Sequence, residues 1–236
     1  LNITSGSAFS IIVKGTNNFQ PSNTGYAGIL AHTPELKIDL QSQSSLTLQA
    51  TIHNALFNTN GKITISGPGN LNAVTKPGDF SYPAICAQGD IVLSGGPVAE
   101  IDSVWHGICS LHGNIALDSA NATIRAQGCG LFAEIYDSDS DADIPSSVTL
   151  KNSTVDIDTA AGEMQGVYCG TGGILVEDTV LTTKANKSAD LEGYSLYSYG
   201  DITIRGNKTD IKTDDGTGIS ADGRILIEGG RVNTSS

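Results

Sequence analysis

The chain has 236 residues and a mass of 24.4 kDa, enough for one or two ordinary domains with a sizeable core. Charged residues make up 16%, against about 25% in an average soluble protein, while glycine, at 28 residues, is enriched. A net charge of −12 and a pI near 4.5 argue against nucleic acid and anionic membranes as partners, and no apolar run approaches the ~18 residues of a spanning helix.

In chain order, residues 1–20 come first: Leu1-Asn2-Ile3 and Phe9 to Val13 read as strands two and three of an incomplete coil. From Gly28 a short motif then recurs, small-apolar-X-small: Gly28-Ile29-Leu30-Ala31, Ala55-Leu56-Phe57-Asn58, Ala84-Ile85-Cys86-Ala87 and Gly107-Ile108-Cys109-Ser110. It continues as Gly130-Leu131-Phe132-Ala133, Gly166-Val167-Tyr168-Cys169, Ser195-Leu196-Tyr197-Ser198 and Gly218-Ile219-Ser220-Ala221. The intervals are 27, 29, 23, 23, 36, 29 and 23 residues, a base period of 23 with insertions. Each motif is followed by a break, usually glycine, then by an alternating strand such as Ile63-Thr64-Ile65, Ile91-Val92-Leu93 or Ile202-Thr203-Ile204. A second break and a third strand, for example Leu46-Thr47-Leu48 or Val155-Asp156-Ile157, close the unit.

Three short strands per 23 residues, punctuated by Gly, Asn and Asp, exclude helical repeats. Period-2 alternation points one face of every strand inward. One unit has too little apolar surface to fold alone, whereas units stacked about 4.8 Å apart bury a continuous core. The expected fold is all-β: a single-domain right-handed parallel β-helix over 1–236, of about eight to nine coils with three short strands each. An up-and-down barrel would not keep columns in register over the repeats.

The wording G-I-x-A-x-G-D-I-x-I-x-G-G, carried by Ala84 to Gly96 and by Gly218 to Gly230, resembles secreted bacterial right-handed β-helix proteins, among them a carbohydrate-binding family. The resemblance runs from Gly25 onward. It implies a secreted or cell-surface location and glycan, or a host or matrix surface, as partner. The start at Leu1, with no signal peptide, is read as that of a piece of a larger protein carrying further domains.

With the apolar residue of each motif inward, the next residue points outward, giving the column Leu30, Phe57, Cys86, Cys109, Phe132, Tyr168, Tyr197, Ser220. Phe57, Phe132, Tyr168 and Tyr197 are the candidate ligand-binding residues, an aromatic surface suited to the axial C–H groups of a sugar ring. The alternative is that the alternation is reversed, or that an insertion or a neighbouring domain covers the stripe. Cys86 and Cys109 should lie one rung apart, inside the disulfide window of roughly 4.4–6.8 Å but with poorly angled Cβ vectors, so a stacked thiol pair is expected. Cys169 is expected in the core and Cys129 at the start of a strand without an evident partner. His106-x-x-Cys109-x-x-His112 has metal-like spacing, but an extended strand puts residue 109 on the opposite face from the histidines.

The longest insertion contains Asp137, Asp139, Asp141 and Asp143, at every second position as at the start of an EF-hand loop. Ala142 stands where the turn glycine belongs and Val148 where the bidentate Glu belongs, so calcium is a weak expectation and a solvated acidic loop the stronger one. The acids Asp210, Asp214 and Asp215 lie four to five coils from the His106-Gly107 and His112-Gly113 pairs, too far for one acid/base site of a lyase or hydrolase. Six N-x-S/T sequons are near chance in so Ser/Thr/Asn-rich a chain. The reading that results is a non-catalytic binding or adhesion module, with a structural stalk as the alternative.

Overall fold

The computed structural model describes residues 1–21, 27–78, 81–133, 145–159, 164–185, 193–214 and 217–235. Among these there is no helix. The described residues form twenty-seven strands in three parallel sheets of nine, each sheet taking one strand from every coil. The chain is a parallel β-solenoid whose repeats stack in register.

The repeat motif supplies the first sheet. Ile85 pairs with Leu56 on one side and Ile108 on the other, and the row continues through Leu131, Val167, Leu196 and Ile219. All but the last are fully buried, as are Ile63, Ile91, Ile115 and Ile202 in the second sheet. Each such side chain contributes about 1.5–3 kcal/mol by leaving water. In the third sheet the inward row shrinks from Ile101, Ile124 and Ile157 to Thr183 and Thr213.

The small residue closing each motif turns the corner into the second strand. Asn58 Nδ2 donates to the Lys62 carbonyl at 2.9 Å, and the Ser110 hydroxyl donates to the Gly89 carbonyl at 3.0 Å. The next corner needs a left-handed backbone in every coil. Gly67 and Gly206 have φ of 90° and 94° there, and Ser119, Asn152 and Asp178 adopt 58°, 48° and 46°. Asn and Asp tolerate that region best among residues with a Cβ, which explains the turn chemistry in the sequence.

The first coil differs from the sequence reading. Asn2–Thr4 belongs to the first sheet, Phe9–Val13 to the second and Thr16–Phe19 to the third, so residues 1–20 form strands one, two and three rather than two and three. The polar Thr16–Phe19 segment lacks the apolar alternation that marks third strands elsewhere, so its sequence carries no strand signal. In the last strand of the second sheet Ile225, Leu226 and Ile227 are half exposed.

Outside the core, charges pair between rungs. Glu177 lies between Lys151 and Arg205, at 3.2 and 3.0 Å, and their guanidinium and ammonium groups hold its carboxyl below the usual range. In the third sheet Asp102, Arg125, Asp158, Lys184 and Asp214 form one column of alternating sign. A one-rung or one-residue slip would break these pairings, so the charges help to fix the register.

Candidate functional site

The outward column of the first sheet runs Leu30, Phe57, Cys86, Cys109, Phe132, Tyr168, Tyr197, Ser220, in register throughout. The four candidate ring residues therefore share one face, but they divide into a run of three and an isolated Phe57. Phe132, Tyr168 and Tyr197 stack consecutively, with centroids 5.0 and 5.6 Å apart and planes 13° and 29° apart. Because rungs repeat at about 4.8 Å, these rings lie across the rod and cover one another's faces. Within the run they turn edges outward, unlike a flat platform. Tyr199 meets both Tyr168 and Tyr197 edge-on, and Tyr194 stacks on Tyr197 at 5.2 Å. Burial, with Asp222 close by, pushes the Tyr197 hydroxyl up to about 12.

His106 extends the stack by one more ring. Its imidazole lies 4.3 Å from Phe132 at 13°, on the side of the Cys109 rung, and only 6% of the residue is exposed. The ring nitrogen Nδ1 accepts a hydrogen bond from the Cys129 backbone N–H at 2.9 Å, and burial lowers its pKa to about 4. Nearby Trp105 packs against it at 4.7 Å and is 39% exposed.

Between His106 and Phe57 the ladder is interrupted. Cys86 and Cys109 occupy the column there, both buried and unbridged, and their contact together with burial drives the Cys86 thiol well above its ordinary pKa. The stacked thiol pair expected from the spacing is present. Beyond the gap His53 stacks on Tyr82 at 5.2 Å and 1°, and lies 5.5 Å from Phe57. These residues enclose a cavity of about 360 Å³ with Cys86 and Cys109 as its floor. Among the described residues, no Asp, Glu, Lys or Arg lines it.

His53, Tyr82 and Trp105 were not singled out from the sequence, yet each stands three residues before the inward residue of its motif, at Leu56, Ile85 and Ile108. Aligning the segments ahead of the motifs would have shown this second aromatic column. Cys129 is corrected too: its thiol donates to Gln165 Oε1 at 3.4 Å. Cys169 is fully buried, as expected, and burial pushes its thiol up to about 11. His112 is exposed in a turn while His106 and Cys109 are buried, and the described residues contain no group of three potential metal ligands. Asp137, Asp139, Asp141 and Asp143 lie outside the described residues.

Fold and column together define a β-solenoid with an aromatic ladder along one sheet. The family model for carbohydrate-binding domain-containing proteins matches residues 24–236, and the chain belongs to that family. No curated protein and no solved structure showed significant similarity to it.

Proposed function

We propose that the chain is a non-catalytic glycan-binding module that works outside the cell, on a secreted or surface-attached protein. The observation that carries the reading is the aromatic face of the first sheet in a member of a carbohydrate-binding family. Aromatic side chains supply apolar area to sugar C–H groups with little conformational entropy to lose. A surface poor in charge and rich in hydroxyls and amides suits an extracellular rod. Acid/base chemistry has less support: Asp210 is held by Arg231 and Asp201 by Arg224, which keeps both carboxyls ionised below their ordinary range.

A screen of the chain on a glycan array, in calcium and in chelator, tests this. Binding to at least one glycan class is expected. A Phe132→Ala/Tyr168→Ala/Tyr197→Ala variant should lose it, because the ladder and the His106 ring resting on it would both lose support. Loss of signal in chelator would bring calcium, and Asp137, Asp139, Asp141 and Asp143, into the reading. If the wild-type chain binds no glycan, the function is overturned and the stalk reading replaces it; mutual coverage of the ladder rings would then be purely structural.

A further inference from the structure

The gap in the ladder is one ring wide. Phe57 and His106 bracket the Cys86 rung, so their rings are about two rungs, or roughly 10 Å, apart along the rod. Elsewhere each rung of the ladder carries one ring, 5.0–5.6 Å from the next. The rung of Cys86 alone carries a short side chain between two aromatic groups. Here, unlike in the run from Phe132 to Tyr197, aromatic side chains line an open cavity.

We propose that this slot takes a single pyranose ring of a neutral glycan, which completes the interrupted stack with its two faces against the Phe57 and His106 sides. The inference rests on the glycan-binding reading and narrows it to one subsite and one ligand class. The cavity, at about 360 Å³, falls in the lower part of the roughly 300–1,000 Å³ range of small-molecule sites. Its walls are aromatic and its floor two thiols, with a few neutral polar groups at the rim. His53 Nδ1 accepts from the Asn54 N–H and His106 Nδ1 from the Cys129 N–H, both at 2.9 Å. In each neutral imidazole the proton is therefore on Nε2, a donor available to sugar hydroxyls. With no Lys or Arg among the described lining residues to pair with a uronate carboxylate, removing that carboxylate from water would be costly.

The geometry also sets the direction of the chain. The walls stand at the two ends of the slot along the rod, so a ring between them lies across the rod. The glycan then follows the strands of the first sheet rather than the ladder of rungs. Binding along the ladder would require ring faces that Phe132, Tyr168 and Tyr197 already cover for one another.

The test uses gel retardation in soluble neutral polysaccharides (starch, galactomannan, xyloglucan and a mixed-linkage glucan), with polygalacturonate as the acidic comparison. Cys86→Phe fills the slot with the missing ring, and Cys86→Ser leaves it open. Wild type and Cys86→Ser should be retarded by at least one neutral polymer to within about twofold of each other, and Cys86→Phe should weaken at least about tenfold. Retardation of folded Cys86→Phe equal to wild type overturns the slot while leaving glycan binding intact. Retardation by polygalacturonate alone overturns the neutral ligand, and retardation by none of the five overturns the functional reading and the slot together. Trp105, the single tryptophan, borders the slot and supplies a readout that needs no variant. Its emission should shift to the blue, saturably, with a retarding polymer; an unchanged spectrum at saturation also overturns the slot.

Discussion

Phe132 and Tyr168 are in-register partners on neighbouring rungs, and their rings stack with centroids 5.0 Å and planes 13° apart. Tyr168 also stacks on Tyr197, at 5.6 Å and 29°, so it is held from both sides. Each such pair is worth about 0.5–1.5 kcal/mol beyond the area it buries. Tyr168→Ala should therefore lose about 1–3 kcal/mol, read as a lower urea midpoint, and Tyr168→Leu should recover part of it. An unchanged midpoint for the alanine variant would mean that the ladder is only a by-product of register.

Gly107 immediately precedes the first strand of its coil, where neighbouring rungs approach closely. A Cβ there would lie 2.4 Å from Ile124 Cγ2 and 2.6 Å from the Gly130 carbonyl oxygen. That same oxygen accepts the Ile108 N–H at 2.9 Å, so it cannot move aside without loosening a ladder bond. Gly107→Ala should cost about 1–3 kcal/mol, as overpacking of a filled core does. Gly6→Ala, with nothing within 4 Å of the added carbon, is the control and should leave the thermal midpoint unchanged. Equal midpoints for both variants would show that the coils separate more easily than their packing implies.

All four cysteines are buried and unbridged. Burial and mutual contact raise the Cys86 thiol well above its ordinary value, and Cys169 is pushed up to about 11. The thiolate is the reactive form and burial shields all four sulfurs, so none should react readily with a chromogenic disulfide reagent at pH 8. Four should be counted once the chain is unfolded in guanidinium. Fast reaction of one or two thiols in the native protein would place the floor of the slot in open solvent.

The columns were legible because alternation within a strand fixes which residue faces inward, and a recurring motif fixes which strands are neighbours. Aligning Ile85, Ile108 and Leu131 by eye reproduces the pairing of the first sheet. The orientation of a ring was not legible. Whether Tyr168 turns a face or an edge to water depends on Phe132, 36 residues earlier, and Tyr197, 29 later, and no local pattern encodes that. His106 was hidden for the same reason: read locally it is part of a metal-like spacing, whereas its backbone-bonded ring lies against Phe132 on the next rung. The charge columns were equally invisible residue by residue, since Asp102 and Arg125 find each other only once the period is known.

His106 also gives the molecule a pH dependence. Its pKa falls from an ordinary 6.5 to about 4 because burial disfavours the imidazolium, and the groups packed around it, Trp105, Phe132 and Gly128, bring no compensating charge. The unfolded chain binds a proton at this residue below pH 6.5, while the folded chain does not until about pH 4. Stability should therefore be fully present above pH 6.5 and fall as the pH drops toward 4, with no further loss from this group below that. At about 1.4 kcal/mol per pH unit the loss amounts to roughly 3 kcal/mol. Glu177, Asp201 and Asp210, held ionised by their basic partners, act in the same direction at lower pH, below the ordinary carboxylate range. His106→Phe keeps the stacked ring without the titration, although it leaves the Cys129 N–H without its acceptor. Denaturation midpoints at pH 7.5 and 5 should differ clearly for the wild type and much less for the variant. Equal pH dependence in the two would assign the effect to other groups.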